Sequence, residues 1–328
     1  MGGSAAGAIR GSRVPMDKTT NRIANPLLVV GSVALDSVET CHGKRDEILG
    51  GAASYSCYAA SFFAPTRLVG VVGTDFPSEH EAFLRARGID LAGLERAAGR
   101  TFRWAGRYAD DFNTRTTLDT QLNVFESFRP KLPSAWSESP FVFLANIDPV
   151  LQLDVLNQVQ RPRFSACDTM NFWISGKRVE LLRVLERVDM ILLNDEEARQ
   201  LAGKSSLSES ARAIAALGPK AVVIKRGDAG ALLFQGDDVF AAPAFPIDNV
   251  ADPTGAGDSF AGGFMGYLAR TGDTSPASVR SALVAGTVLA SFCVEDFSLD
   301  RFRTLDPSAI RQRIGAYASL VRFEAPQL

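Results

Sequence analysis

The carboxylate best placed for chemistry in this chain is Asp258, because of what precedes it. The segment Asp252-Pro253-Thr254-Gly255-Ala256-Gly257-Asp258 opens on a proline turn and runs into an apolar, helix-compatible stretch over 259–269. Gly255 and Gly257 let the backbone bend sharply and come close to a ligand. A helix that begins near Gly257 presents unpaired N–H groups and the positive end of its dipole. Such donors suit the charge that builds on a transferring phosphoryl group. A carboxylate in the same turn can take the proton of an attacking hydroxyl. Asp also favours helix starts as a cap alone, so these residues by themselves fit a capped helix equally well.

Other polar residues fall where strands meet loops. Leu27-Leu28-Val29-Val30 reads as a buried strand running through Gly31 into a loop that ends at Asp36. It carries no dinucleotide fingerprint, since only Gly31 is present where G-x-G-x-x-G is required. Gly50-Gly51 precede a helical run through Ala64, and paired glycines suit close approach by a polyol. Phe164-Ser165-Ala166-Cys167-Asp168 is a strand leading to Asn171. Asp168 and Asn171 thus fall at a carboxyl end, where open parallel sheets bind ligands. After the strand Met190-Ile191-Leu192-Leu193, Asn194 is an N-cap with Glu197 three residues on, a capping box that is a sufficient role by itself. Residues 221–234 read as a hairpin whose turn holds Gly227 and Gly230; Lys225 beside it meets phosphate or faces solvent. Gly203-Lys204-Ser205 is not a phosphate loop: position 198 is Ala198, and the segment ends a helix with Gly203 as C-cap.

Residues 252–258 resemble the C-terminal signature of the ribokinase/PfkB carbohydrate kinases, D-T-x-G-A-G-D, with Pro253 where Thr is common. The resemblance covers nearly all of the chain after residue 26. It implies that Gly255, Ala256 and Gly257 form an anion hole and that Asp258 is the catalytic base. It implies that Asp36, Gly50 and Gly51 bind substrate hydroxyls, although Tyr55 stands where many sugar-binding members carry Asn. Asp168 and Asn171 are similar to the family's D-x-N segment, spaced one residue wider, and are assigned to the substrate. Asn194 and Glu197 fall on its N-x-x-E motif, which implies phosphate positioning and, for Glu197, Mg2+ held through water. Lys225, Gly227 and Gly230 fall on its nucleotide loop, with Lys225 where Thr is common. Ala285 falls on the helix that walls the adenine pocket. The cofactors implied are ATP and Mg2+.

These residues need a sheet to carry them. Strands alternate with helices from residue 27 to about 300, which predicts a parallel sheet covered on both faces. With the resemblance, the expected fold is α/β: a ribokinase-like three-layer α/β/α sandwich with a mainly parallel sheet and a small β-sheet lid from about 33–50 and 100–128. Helices are expected over about 78–87, 149–159 and 276–293. Within the lid, residues 101–108 alternate in part as a half-buried strand does, and 114–124 return as a second strand. Phe102, Trp104 and Tyr108 pack a sheet or stack on a base or sugar face. Arg103, Arg107 and Arg115 are read first as a solvated face and second as partners of a substrate phosphate or carboxylate.

Composition narrows the partners. The formal net charge of −2 over 328 residues speaks against nucleic acid and anionic membranes, and no apolar run is expected to reach the length of a membrane span. The cysteines, Cys41, Cys57, Cys167 and Cys293, form no C-x-x-C and read as buried thiols in a reducing cytosol. His42 and His80 are the only histidines, too few for a multi-histidine metal site. Residues 1–25, rich in Gly, Ala, Ser and Arg, are expected to be disordered. They are a native extension, an upstream start ahead of Met16 or a weak transit-like segment, taken here as a tail without function. The kinase domain is placed at 26–328. The resulting expectation is a cytoplasmic, ATP-dependent kinase acting on a hydroxyl of a small sugar, with a nucleoside as the alternative and a non-catalytic scaffold behind both. A homodimer through the lid is compatible with it.

Overall fold

A computed structural model describes residues 25–112 and 114–324; the tail expected to be disordered lies, apart from Asn25, outside the described residues. In chain order the elements begin with β1 (Leu27–Val30), β2 (Ala34–Thr40), β3 (Gly43–Gly50), α1 (Ala52–Ala60), β4 (Thr66–Val72), α2 (Ser78–Ala86) and β5 (Asp90–Arg96). They continue with β6 (Phe102–Tyr108), β7 (Arg115–Gln121), β8 (Phe141–Leu144), α3 (Pro149–Gln158), β9 (Phe164–Asp168), α4 (Asn171–Gly176) and α5 (Arg178–Leu185). Next come β10 (Met190–Asn194), α6 (Asp195–Ala202), α7 (Leu207–Ala215), β11 (Ala221–Lys225), β12 (Ala231–Gln235) and β13 (Asp238–Ala242). The chain closes with α8 (Ala256–Thr271), α9 (Pro276–Cys293), α10 (Asp300–Arg303) and α11 (Pro307–Leu320).

Nine strands form one sheet in the order β13-β12-β11-β10-β9-β8-β1-β4-β5. Pairings from β11 across to β5 are parallel, while β12 and β13 add antiparallel at one edge. The strands are continuously apolar because both faces are covered. Leu27 and Val29 of β1 enter one core and Leu28 and Val30 the other; β8, β10 and β11 divide their side chains in the same way. Helices α1, α2, α8, α9 and α11 cover the first face, and α3, α5, α6 and α7 the second. The strand order reverses between β1 and β8, which opens a crevice at the carboxyl ends of the strands.

A second sheet, β3-β2-β6-β7, pairs β2 with β6 in parallel and the rest antiparallel. Thr40 Oγ1 donates to the Ala251 carbonyl at 3.0 Å, which seats this lid sheet against the loop that leads into α8. Asp36 lies within β2, opposite Ile48, where the sequence suggested a loop. The reason is local: β3 carries Lys44-Arg45-Asp46-Glu47 in succession, so no apolar alternation marks the hairpin.

Helix α8 is wedged between α1 and α9. A Cβ on Gly266 would lie 2.7 Å from the Ala60 Cα, so only glycine permits that approach. The Ser56 hydroxyl of α1 donates to the Asp258 carbonyl at 3.0 Å and fixes the first turn of α8. Helix α9 corrects one expectation: by length and composition it is long and apolar enough to cross a membrane. It is 67% buried inside the protein, as a core helix is. Cys57, Cys167 and Cys293 are buried thiols as expected, whereas Cys41 is exposed.

Candidate active site

A cleft of about 1180 Å³ follows the carboxyl edge of the main sheet, between it and β6–β7 of the lid. At its centre is the start of α8. Gly255 caps that helix at φ +74°, with no side chain donating or accepting at the cap. A Cβ on Gly255 would overlap the ring of Tyr55, so both the left-handed backbone and the close approach require glycine. The Ala256 N–H turns back to the Pro253 carbonyl at 3.2 Å. The Gly257 and Asp258 amides find no acceptor among the described residues, and both residues line the cleft. This is the exposed donor pair that the start of a helix offers to an anion.

Asp258 is half-buried. Burial, then the negative charge of Asp168, push its carboxyl up to about 7, against the opposing charges of Lys225 and Arg115. Asp168 ends β9 and Lys225 ends β11; their charged atoms lie 2.6 Å apart. The position of a Cβ on Gly257 lies 3.3 Å from Lys225 Nζ, so the ammonium sits beside the α8 N-terminus. Burial works against the lysine's charge, but Asp168, Glu197 and Asp258 outweigh it and hold the group above its usual range.

Asn194 and Glu197 join β10 to α6 as a complete capping box. The Glu197 amide donates to Asn194 Oδ1 at 2.8 Å and the Asn194 amide to Glu197 Oε2 at 2.7 Å. Burial, then Asp168, raise Glu197 to about 7. No group of three His, Cys, Asp or Glu able to hold a metal ion occurs among the described residues. With one Glu197 oxygen already engaged, the donor set fits Mg2+ that arrives on phosphates and keeps its water, not a metal caged by protein.

Asn171, at the start of α4, lines the cleft, as do Gly227 and Gly230 in the turn between β11 and β12. Ala285 does not. It packs towards α8, where a Cβ on Gly263 would lie 3.0 Å from its carbonyl. The cleft-facing side of α9 is Thr287, Ala290, Ser291 and Val294, opposite Phe245 and Ile247. The sequence could not tell which face of α9 meets the cleft, because a helix of small and apolar residues carries no polar stripe to tell one side from another.

Asp36, Gly50 and Gly51 lie outside the lining of this cleft, behind the α8 loop. Asp36 is 4% exposed. A Cβ on Gly50 would overlap its carboxylate, so glycine there makes room for the acid. Its Oδ1 has no partner. Burial, then Asp252, with a smaller push from Asp258, raise Asp36 to about 8 although the Gly51 amide opposes them. The buried Tyr55 hydroxyl is likewise unpartnered.

Two cleft residues were underweighted in the sequence. Arg107 pairs with Glu39 on an exposed face, as expected, whereas the Arg103 side chain is largely buried and held by Asp75 and Glu47. Arg115 instead lines the cleft beneath the lid, and its charge acts on Asp258 and Glu197. Tyr108 accepts a hydrogen bond from Thr254 Oγ1 at 3.4 Å, tying the lid to the loop before α8. The signal available for Arg115 was its place directly after the polar turn of the lid hairpin.

The family model described as pfkB family carbohydrate kinase matches residues 27–301. The chain is 31% identical over 249 residues to a cytidine kinase of Thermococcus kodakarensis, covering 74% of this chain and 88% of that one. It is 27% identical over 286 residues to a nucleoside kinase of Methanothermobacter thermautotrophicus, covering 81% and 82%. Its fold is similar to that of the Burkholderia thailandensis nucleoside kinase solved in complex with inosine. The TM-score there is 0.71 at 19% identity, over 89% of this chain and 99% of that one. With the Gly-Ala-Gly-Asp turn at the head of α8 and a family match across the whole sheet, the chain belongs to the pfkB family of carbohydrate kinases, phosphotransferases whose acceptor is a hydroxyl of a sugar or nucleoside.

Proposed function

We propose that this protein is a cytoplasmic, Mg2+- and ATP-dependent nucleoside kinase that phosphorylates the 5′-hydroxyl of a ribonucleoside. The observation that carries the choice of hydroxyl is the pair Asp36 and Asp258. Asp36 keeps a buried oxygen without a partner among the described residues, and it lies close enough to Asp258 to feel that residue's charge. A vicinal diol can satisfy Asp36 with hydrogen bonds to its open oxygen. A ribonucleoside that gives its 2′,3′-diol to Asp36 has one hydroxyl left, the 5′, to offer to Asp258. The nucleoside kinases among the relatives that span most of the chain support a nucleoside over the free sugar first expected.

In this reading Asp258 takes the proton of the attacking hydroxyl. The Gly257 and Asp258 amides, Lys225 and Arg115 stabilise charge on the transferring phosphoryl group. Asn194, Gly227, Gly230 and the Thr287–Val294 face of α9 hold the donor. Glu197 would hold Mg2+ through water, and the metal would supply neutralisation of the phosphate charge. The domain is taken as residues 26–328, with its lid over the acceptor. Leu118 of β7 is 51% exposed on that lid, which suits a homodimer through it; a monomer on gel filtration removes that part.

The test is ADP release with Mg2+–ATP across cytidine, uridine, adenosine, inosine, guanosine, ribose, fructose and 2-keto-3-deoxy sugar acids. A nucleoside preference of about tenfold or more in kcat/KM is expected, with the product a 5′-monophosphate by NMR. Faster turnover of a free sugar replaces the nucleoside assignment.

A further inference from the structure

Asp168 was first assigned to the substrate, but its surroundings are those of the phosphates. It is 5% exposed, its Oδ2 is 2.6 Å from Lys225 Nζ at 17% exposure, and its Oδ1 accepts the Thr169 amide at 2.7 Å. Both oxygens are therefore engaged by protein, unlike the open oxygen of Asp36. Lys225 sits in turn beside Gly257, at the free amides of α8. A lysine is a flexible point charge, and its ammonium stays at one spot only if something holds it there.

We propose that Asp168 is a positioning residue for phosphoryl transfer: its carboxylate moors the Lys225 ammonium at the α8 N-terminus and stands as a fixed negative charge near Asp258. The proposal rests on the reading of Asp258 as the base. Its logic is a division of effect. A second acid near the phosphates weakens binding of the ground-state triphosphate, since like charges repel. The same acid makes Asp258 a stronger base and holds Lys225 where charge builds during transfer. The charged and titratable groups that act on Asp258 are Asp168 on β9, Lys225 on β11 and Arg115 on β7, and Asp258 acts in turn on Asp36 of β2 and Cys293 of α9. Of the groups that shift Asp258 itself, Asp168 alone is negative, so its removal has a defined sign.

The test compares wild type, Asp168→Asn and Asp168→Glu. ATP affinity is measured by calorimetry without acceptor, and steady-state kinetics follow with the best nucleoside across pH. For Asp168→Asn, ATP is expected to bind several-fold more tightly, while kcat falls about tenfold. Its acid limb is expected to move down by about one pH unit, with the nucleoside KM within twofold of wild type. Tighter donor binding with slower turnover is not what local damage produces. Asp168→Glu keeps the charge and is expected to hold the limb within about 0.3 pH unit of wild type. A raised nucleoside KM with kcat held restores the substrate assignment and overturns the proposal; so does weaker ATP binding or an unmoved limb in Asp168→Asn. If that variant does not fold, a limb moved by a full unit in Asp168→Glu overturns it. If the wild type phosphorylates no acceptor, the kinase reading fails, while the calorimetric comparison still decides whether Asp168 opposes the phosphates.

Discussion

At the end of the site proposed for the phosphates, Asp168 meets Lys225 at 2.6 Å, and Asn194 and Glu197 hold each other through reciprocal bonds at 2.7 and 2.8 Å. At the end proposed for the acceptor, Asp36 Oδ1 and the Tyr55 hydroxyl are buried with no partner among the described residues. The first end is built from the carboxyl tips of three neighbouring strands of one sheet. The second is built from β2 and β3 of the lid, which carry Asp36 and Gly50, and from α1, which carries Tyr55. The difference matches what each end must do. Phosphoryl chemistry is the same for every acceptor, so its charges are arranged beforehand and hold themselves in place. Recognition of an acceptor needs polar groups that are satisfied only when the acceptor arrives, and these are costly while they wait.

The largest expected effect lies at the junction of the two ends. Asp258→Asn lowers kcat by about 10²–10⁴-fold and leaves ATP affinity within a few-fold, measured by ADP release and calorimetry on the same preparation. Loss of ATP binding along with turnover would merge the two ends into one. As the proposed base, Asp258 would act deprotonated, and burial and Asp168 push its carboxyl up to about 7. Wild-type kcat/KM is therefore expected to be flat above that pH and to fall tenfold per unit below it. A limb near pH 4 would mean that the cleft does not raise this carboxyl.

Asp36→Asn separates the ends. Replacing one carboxyl oxygen by an amide nitrogen removes an acceptor for the diol and is expected to raise the acceptor KM by about tenfold, with the ATP KM unchanged. The same substitution is expected to stabilise the fold. The Asp36 carboxyl is raised from 3.8 to about 8, so the native state keeps a proton that the unfolded chain gives up. Between those values stability falls as pH rises. The gain in Tm from Asn is therefore full above about pH 8 and absent below about pH 4. A gain that is the same at both pH values would leave the burial of this acid without consequence.

The same contrast explains what was legible in the sequence. Main-sheet strands declared themselves as apolar runs, and the helix ends as Gly203 and the Asn194/Glu197 box, because each is fixed by residues within a few positions. The phosphate end inherits that legibility: its residues end strands whose order follows the chain. The lid over 33–50 was expected from the resemblance alone; the pattern of the residues did not mark the β2–β3 hairpin, since its charged strand has no alternation. Neither was the relation of Asp36 to Gly50, which is a contact across that hairpin. Arg115 lay in plain view, but only the docking of the lid separates it from Arg103 and Arg107. Ala285 and Thr287 differ by two positions on one helix, and only packing against α8 decides which of them meets the cleft.

The smallest effect divides a structural role from a ligand role at one residue. Asn194 accepts the Glu197 amide and so caps α6, and its side chain also faces the cleft. Asn194→Ala removes the cap and costs about 1 kcal/mol, a fall in Tm of about 2 °C for a chain of this size. Asn194→Asp keeps an accepting oxygen and adds a negative charge at a helix N-terminus, where it is favourable, so the Tm returns. The added charge also faces the donor phosphates, so the ATP KM is expected to rise several-fold in Asn194→Asp while the Tm does not fall. If both measurements return to wild type in Asn194→Asp, the residue caps a helix and does nothing for the nucleotide.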